Sequence, residues 1–194
     1  MTTIRLIRHG ETNWNKEGRI QGKTDIPLNE TGRIQAEECA ESLKHSEWDI
    51  IISSPLKRAK QTAEIINKNL HLPIMEMSAF AERNYGDAEG MHFQERDKLF
   101  PNREYPNQES RASLTARVMG GIQTIHETYP HKKVLLISHG GAINAILAAL
   151  SDGKIGSGKT KLINASMSNI YHHEDKWHIK DFNQVTHLST YNKE

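Results

Sequence analysis

The stretch Lys133-Val134-Leu135-Leu136-Ile137-Ser138-His139-Gly140-Gly141 decides the architecture. Four consecutive apolar residues, Val134 to Ile137, lie between polar ends. Such a run reads as a strand buried on both faces, the kind found in parallel sheets. It stops at a His-Gly pair and leads into Ala142–Leu150, an apolar helix. The same grammar recurs toward the N-terminus. Thr3–Arg8 is a β-branched, apolar run that ends in His9-Gly10. Asp49–Ser53 is a third continuous strand. It is followed by Ser54-Pro55, where serine suits an N-cap and proline the first helical position.

Between these strands the period changes to helical. Glu30–His45 places Ile34, Ala36, Cys39, Ala40 and Leu43 near one face, with a cap expected at Asn29 or Thr31. The helix after Pro55 carries Leu56, Ala59, Ala63, Ile65 and Ile66. Glu109–Tyr129 reads as a long helix, and Pro73–Met77, Leu162–His172 and Trp177–Phe182 read as further strands. Residues 11–29 read as a loop. Residues 80–108 read as an irregular cap with a short helix near Phe93–Leu99. Strands alternating with helices predict one α/β domain over 1–194, a three-layer α/β/α with a mainly parallel central sheet.

Composition excludes several classes. The 194 residues carry a formal net charge of +1 with both signs interleaved, so no basic tract points to nucleic acid. No run is long enough to span a bilayer, and the N-terminus lacks a signal-peptide core. A lone cysteine, Cys39, forbids an intrachain disulfide and reads as a buried helix residue. A cytoplasmic location is expected, and the oligomeric state stays open.

The ends of the three strands carry the chemistry. Ligands of open α/β sheets bind beyond the carboxyl ends of strands. Arg8-His9-Gly10, Ser53-Ser54-Pro55 with Arg58 one turn later, and Ser138-His139-Gly140-Gly141 would bring two imidazoles and two guanidiniums to one point. Guanidinium forks onto phosphate oxygens, glycine allows close approach of an anion, and helix N-termini offer N–H groups. Unprotonated imidazole is a good nucleophile. No carboxylate cluster or His/Cys spacing demands a metal. His172, His173 and His178 read as solvated strand residues, and Trp14 as core packing or the pocket mouth.

These residues also carry a resemblance. Leu6 to Thr12 (LIRHGET) with Trp14-Asn15, Gly18 to Gly22, Asp25 to Asn29, and Gly32 with Gln35-Ala36 resemble the histidine phosphatase superfamily, the phosphoglycerate-mutase-like proteins. So do Ser53 to Ala59 with Gln61 to Ala63, Glu82 to Gly86 (ERNYG), Ser138 to Gly141, Asn183 and His187-Leu188. The resemblance implies a phosphoglycerate-mutase-like fold and a cofactor-free, metal-independent phosphatase acting on small phosphorylated metabolites. It implies that His9 becomes phosphorylated. Arg8, Arg58 and His139 would hold the phosphoryl oxygens, and Asn15, Gln21, Gly22 and the Gly140 backbone would complete the cradle. Glu82 would be the proton donor and acceptor, a role that calls for partial burial or nearby phosphate charge. Glu89 and Glu11 are rival acids outside the acid motif. Arg83 and Tyr85 would contact the rest of the substrate.

Phosphoglycerate mutase or bisphosphatase activity is the alternative in the same pocket. Mutases of the family tend to be longer after the acid motif and to carry His-Gly-Asn, where this chain has His139-Gly140-Gly141. Readings from other classes are weaker. Gly153, Gly158, Lys159 and Thr160 satisfy the nucleotide phosphate-loop pattern G-x-x-x-x-G-K-[ST]. That pattern must follow a strand and open a helix, whereas here an apolar helix precedes it and a strand pattern follows. The histidine and glycines at 139–141 are also similar to an esterase oxyanion stretch, but the chain has no G-x-S-x-G elbow. A non-catalytic phosphate binder would not need both histidines, both arginines and an acid.

Overall fold

β4 (Lys133–Ser138) lies inside a six-stranded sheet, between β1 (Thr3–Arg8) and β2 (Ile50–Ser53). The computed structural model describes residues 1–191; the last three residues of the expected 1–194 domain lie outside the described residues. Outward from β2 comes β3 (Ile74–Glu76), and outward from β1 come β5 (Met167–His173) and β6 (Lys176–Gln184), giving the order β3-β2-β4-β1-β5-β6. The first four are mutually parallel, and β5 and β6 are antiparallel additions. The sheet is thus mainly parallel, as expected.

Residue period sorts the core into two faces. Ile4, Leu6, Ile50, Ile52, Val134 and Leu136 pack against α5 (Arg111–Thr128) and α6 (Gly140–Leu150). Ile7, Ile51, Leu135 and Ile137 pack on the other face against α2 (Glu30–Leu43) and α3 (Lys57–Leu70). Alternate residues of one strand therefore feed opposite layers, which produces the α/β/α sandwich.

Register sets the site. Arg8 pairs with Ser138, and Ile137 pairs with both Ile7 and Ser53. The residues that follow, His9, Ser54 and His139, emerge side by side at the carboxyl edge.

Several boundaries differ from the sequence reading. The expected loop 11–29 contains α1 (Asn13–Glu17), started by a capping box in which Thr12 and Asn15 exchange hydrogen bonds. It stops at Gly18, whose φ of 71° suits glycine. No helix follows Gly10 directly. Asn29 caps α2, but Ile34 faces solvent. The helix after Pro55 begins only at Lys57; the Ser54 hydroxyl accepts from the Leu56 N–H at 3.3 Å and meets His139 instead of capping the helix. The strand expected from Leu162 starts at Met167. Ahead of it, Ala165 takes a φ of 60° and donates its N–H to the Arg8 carbonyl, wrapping 162–166 over the end of β1. The short helix in 80–108 is present as α4 (Phe93–Leu99).

Trp14 is half-buried and lies over Gly90, neither in the core nor in the cavity lining. His172 is half-buried rather than free in solvent: its ring lies against that of His126, centroids 3.9 Å apart and planes tilted by 32°, and edges Trp177. Among the described residues no helix is long and apolar enough to cross a membrane.

Candidate active site

His9 forms the floor of a cavity at the carboxyl edge of the sheet. Its Nδ1 lies 2.7 Å from the Gly10 carbonyl. A carbonyl only accepts, so Nδ1 carries the proton and Nε2 keeps its lone pair. The Arg58 Nε–H donates to that Nε2 at 3.3 Å. Burial, then the charges of Arg58 and Arg8, hold the imidazole well below the ordinary histidine range. The ring is therefore neutral at physiological pH. The backbone at Gly10 is pinned: its N–H donates to Thr62, and a Cβ there would lie 2.3 Å from the Gly32 carbonyl.

Arg58 stands beside His9 because α3 starts three residues after Ser54. Its Nη1 and Nη2 donate to the carbonyls of Thr24 and Gly22 at 2.9 and 2.7 Å. Burial pushes its pKa down to about 10, so it stays charged at neutral pH. Arg8 donates from Nη1 to the Leu162 carbonyl at 2.5 Å, while its buried Nε has no protein partner. Asn15 and Gln21 line the same cavity. The amide oxygen of Asn15 accepts from the Thr12 and Asn164 N–H groups, and that of Gln21 from the Thr12 hydroxyl at 2.6 Å. Both amides thus keep their N–H donors for the cavity.

His139 is fully buried behind the floor, its ring centroid 5.1 Å from that of His9. Nε2 meets the Ser54 hydroxyl at 2.7 Å, and Nδ1 has no partner. Burial and the charge of Arg58 hold this ring, too, well below the usual histidine range. Gly140 rather than the His139 ring lines the open cavity.

Glu82 is 7% exposed and sits on the N-terminus of α6. Its oxygens accept from the N–H groups of Gly141, Ala142 and Arg83 at 2.9, 3.1 and 2.7 Å. A Cβ at Gly141 would stand 2.5 Å from Glu82 Oε1 and 2.8 Å from the Tyr85 hydroxyl. Glycine at 141 is what lets the acid seat there. Tyr85 lies against the Arg83 guanidinium, 5.5 Å from the ring centre, and burial pushes its phenol up so that it remains a donor. Arg83 itself donates to the Glu109 carbonyl and to Gln108.

A sequence model of the histidine phosphatase superfamily (branch 1) matches residues 4–185. The chain belongs to this family. It is 55% identical over 193 residues to the uncharacterized phosphatase PhoE of Bacillus subtilis, covering 100% of both chains. It is 35% identical over 204 residues to the metal-independent phosphoserine phosphatase of Arabidopsis thaliana, covering 98% of this chain and 84% of that one. Among solved structures, Bacillus stearothermophilus YhfR superposes with a TM-score of 0.90 at 28% identity, over 97% of this chain and 100% of that one.

Against the histidine phosphatase pattern, the fold gathers Arg8, His9, Asn15, Gln21, Gly22, Arg58, Glu82, Arg83, Tyr85 and Gly140 around one cavity, with His139 behind it. The rival acids are elsewhere. Glu89 accepts from Lys23, Thr24 and Tyr85 and braces the Gly22 turn, and Glu11 accepts from Asn29 at the start of α2. Sequence reading missed Arg117. Its guanidinium donates to the carbonyls of Ala79, Ala81 and Glu82 and forks onto Glu109, clamping the irregular segment that carries the acid. It also missed Asn164, which bonds the His9 carbonyl and Asn15. Only an unusual arginine inside a helix pattern could have flagged the first, and nothing local flags the second. Among the described residues no group of three His, Cys, Asp or Glu side chains could hold a metal ion.

Proposed function

We propose that this chain hydrolyses small phosphomonoesters by passing the phosphoryl group through His9. The observation that carries the reading is the state of His9: neutral, protonated on Nδ1, with an Nε2 lone pair met only by the long 3.3 Å bond from Arg58, a donor that can turn to an incoming phosphoryl oxygen. Phosphoryl transfer needs little from a protein beyond positioning and charge neutralisation on three oxygens. Arg8 and Arg58 supply the charge, and the amides of Asn15 and Gln21 with the Gly140 backbone supply further donors.

In the first step His9 Nε2 bonds to phosphorus as the ester P–O bond breaks. The departing alkoxide takes a proton from the Glu82 carboxyl. In the second step water attacks the phosphohistidine, Glu82 takes its proton, and the P–N bond breaks to release inorganic phosphate. His139, tied to Ser54, backs the His9 ring from behind the cradle.

The test is a quenched reaction analysed by mass spectrometry. Phosphate on His9 in the wild type, with none in His9→Ala and no turnover there, is expected. Wild-type turnover in His9→Ala would overturn the mechanism. A mutase assay on 3-phosphoglycerate checks the alternative, and no loss of phosphate release is expected with chelator present.

A further inference from the structure

His9 keeps its proton on Nδ1 because one acceptor, the Gly10 carbonyl, lies 2.7 Å away. Among the described residues that carbonyl has no other hydrogen-bond partner. What aims it there is therefore decisive. Gly10 has no side chain, so its own torsions do little to fix the peptide that follows. That peptide, Gly10 to Glu11, is planar and trans, with its C=O and N–H pointing to opposite sides. To hold the N–H is to aim the carbonyl. The Glu11 N–H donates to Oε1 of Gln35 at 2.9 Å. Gln35 is half-buried in the second turn of α2, next to the exposed Ile34 and the buried Ala36.

Other groups fix the peptides on either side. The Gly10 N–H donates to Thr62 of α3, and the Glu11 carbonyl accepts from the Asn29 N–H. The peptide facing the His9 ring is the one that depends on Gln35. Close packing makes the bond possible: a Cβ at Gly32 would lie 2.7 Å from the Glu11 nitrogen. Glycine at 32 lets α2 approach until Gln35, one turn later, reaches the N–H. The other restraint on the His9 tautomer is the 3.3 Å bond from Arg58 to Nε2. That bond must be given up when Nε2 meets phosphorus, whereas the bond from Nδ1 to Gly10 persists. The ring then becomes a cation that retains its Nδ1 proton, and a carbonyl facing that proton makes a charge-assisted hydrogen bond.

We propose that Gln35 is a positioning residue for phosphoryl transfer. Its side-chain oxygen, acting through the Gly10–Glu11 peptide, aims the carbonyl that keeps the proton on His9 Nδ1 and the lone pair on Nε2. When Nε2 bonds to phosphorus and the ester P–O bond breaks, the imidazole takes up positive charge, and the aimed carbonyl stabilises it. Gln35 does not line the cavity, so its effect falls on the chemical step and not on binding. The inference rests on the phosphohydrolase reading and adds a residue from outside the cavity to it.

Variants at Gln35 and at a matched glutamine test it. Gln61 of α3 accepts the Leu28 N–H at 2.9 Å, the same kind of bond on a peptide that does not face His9. Gln35→Met keeps the length and removes the strong acceptor. It should lower kcat on p-nitrophenyl phosphate by about tenfold, as for loss of a group that orients a histidine, with KM changed by less than about twofold. Gln35→Asn, polar but too short to reach the N–H, should behave alike. Gln35→Glu keeps an acceptor and should recover kcat to within about threefold of the wild type. Gln61→Met should lose as much Tm as Gln35→Met and keep kcat within about twofold. The hydrogen-bonded Nδ1 proton of His9, assigned by its absence in His9→Ala, gives a downfield NMR signal. That signal should move upfield or vanish in Gln35→Met and Gln35→Asn alone. Undiminished kcat in those two variants, an equal loss in Gln61→Met, no recovery in Gln35→Glu or an unmoved Nδ1 signal would each overturn the inference. No phosphate release by the wild type would instead overturn the phosphohydrolase reading, and the Nδ1 signal would still decide what Gln35 does.

Discussion

The strand ends and the rim of the same cavity are built on opposite principles. At the strand ends, Arg58, His9, His139 and Glu82 are buried, and backbone atoms of Gly10, Gly22, Thr24, Gly141 and Ala142 hold three of them within hydrogen-bond distance. At the rim, Arg103, Arg111, Lys159 and Lys161 are exposed, carried by the cap, the first turn of α5 and the loop after α6. The first region fixes geometry, which is what transfer of a phosphoryl group requires. The second offers charge that can adapt to what the phosphate is attached to. Substitutions at the floor should therefore act on kcat, and those at the rim on substrate choice.

The floor can be broken hardest at His9. His9→Ala should lower kcat by about 10⁴-fold or more, as for loss of a nucleophile, with the phosphohistidine absent by mass spectrometry. Glu82→Gln comes next, at about 10²–10⁴-fold in kcat, and should be mildest for p-nitrophenyl phosphate, whose leaving group needs little protonation. Arg117→Met should cost about 2–3 kcal/mol by denaturant unfolding, because it leaves Glu109 and three backbone carbonyls without their donor. It should also lower kcat without raising KM for p-nitrophenyl phosphate, since Arg117 acts through Glu82.

The smallest effect is on pH. Burial holds His9 and His139 well below the ordinary histidine range, and burial with the adjacent His172 lowers His126. Their folded-state pKa values lie below the unfolded value of about 6.5. Their neutral forms therefore favour the folded state in full above that pH. As pH falls below it the unfolded chain gains protons that the fold refuses, so stability declines. A Tm at pH 5.5 lower than at pH 7.5 by a few degrees is expected. His126→Gln should weaken that slope, because one of four imidazoles held below the ordinary range, His187 being the fourth, is gone.

The floor was legible because its signals are local. An apolar run followed by His-Gly names both the strand and the side chain at its end, as Thr3–Gly10 and Lys133–Gly140 show. Burial of the strand makes such runs unambiguous. Other features are products of assembly. Ser54 read as a helix cap until the fold set His139 against it. Thr62 and Arg117 look like ordinary helix residues, and only packing brings them to Gly10 and Glu82. The capping box of Thr12 and Asn15 was readable but lay among polar residues that resemble a loop. The Gly153–Thr160 motif shows the converse. Its letters fit a nucleotide loop, and its position between α6 and β5 denies it the strand and helix such a loop needs.

The placement of β4 between β1 and β2 has a consequence for biogenesis. The two N-terminal strands cannot pair with each other, and their inner edges stay open until a segment some 80 residues further along slots between them. Closing such distant pairings is slow, and a nascent chain halted short of residue 133 would present unpaired, apolar strand edges to its neighbours. Truncated products should therefore clump rather than persist as inactive monomers.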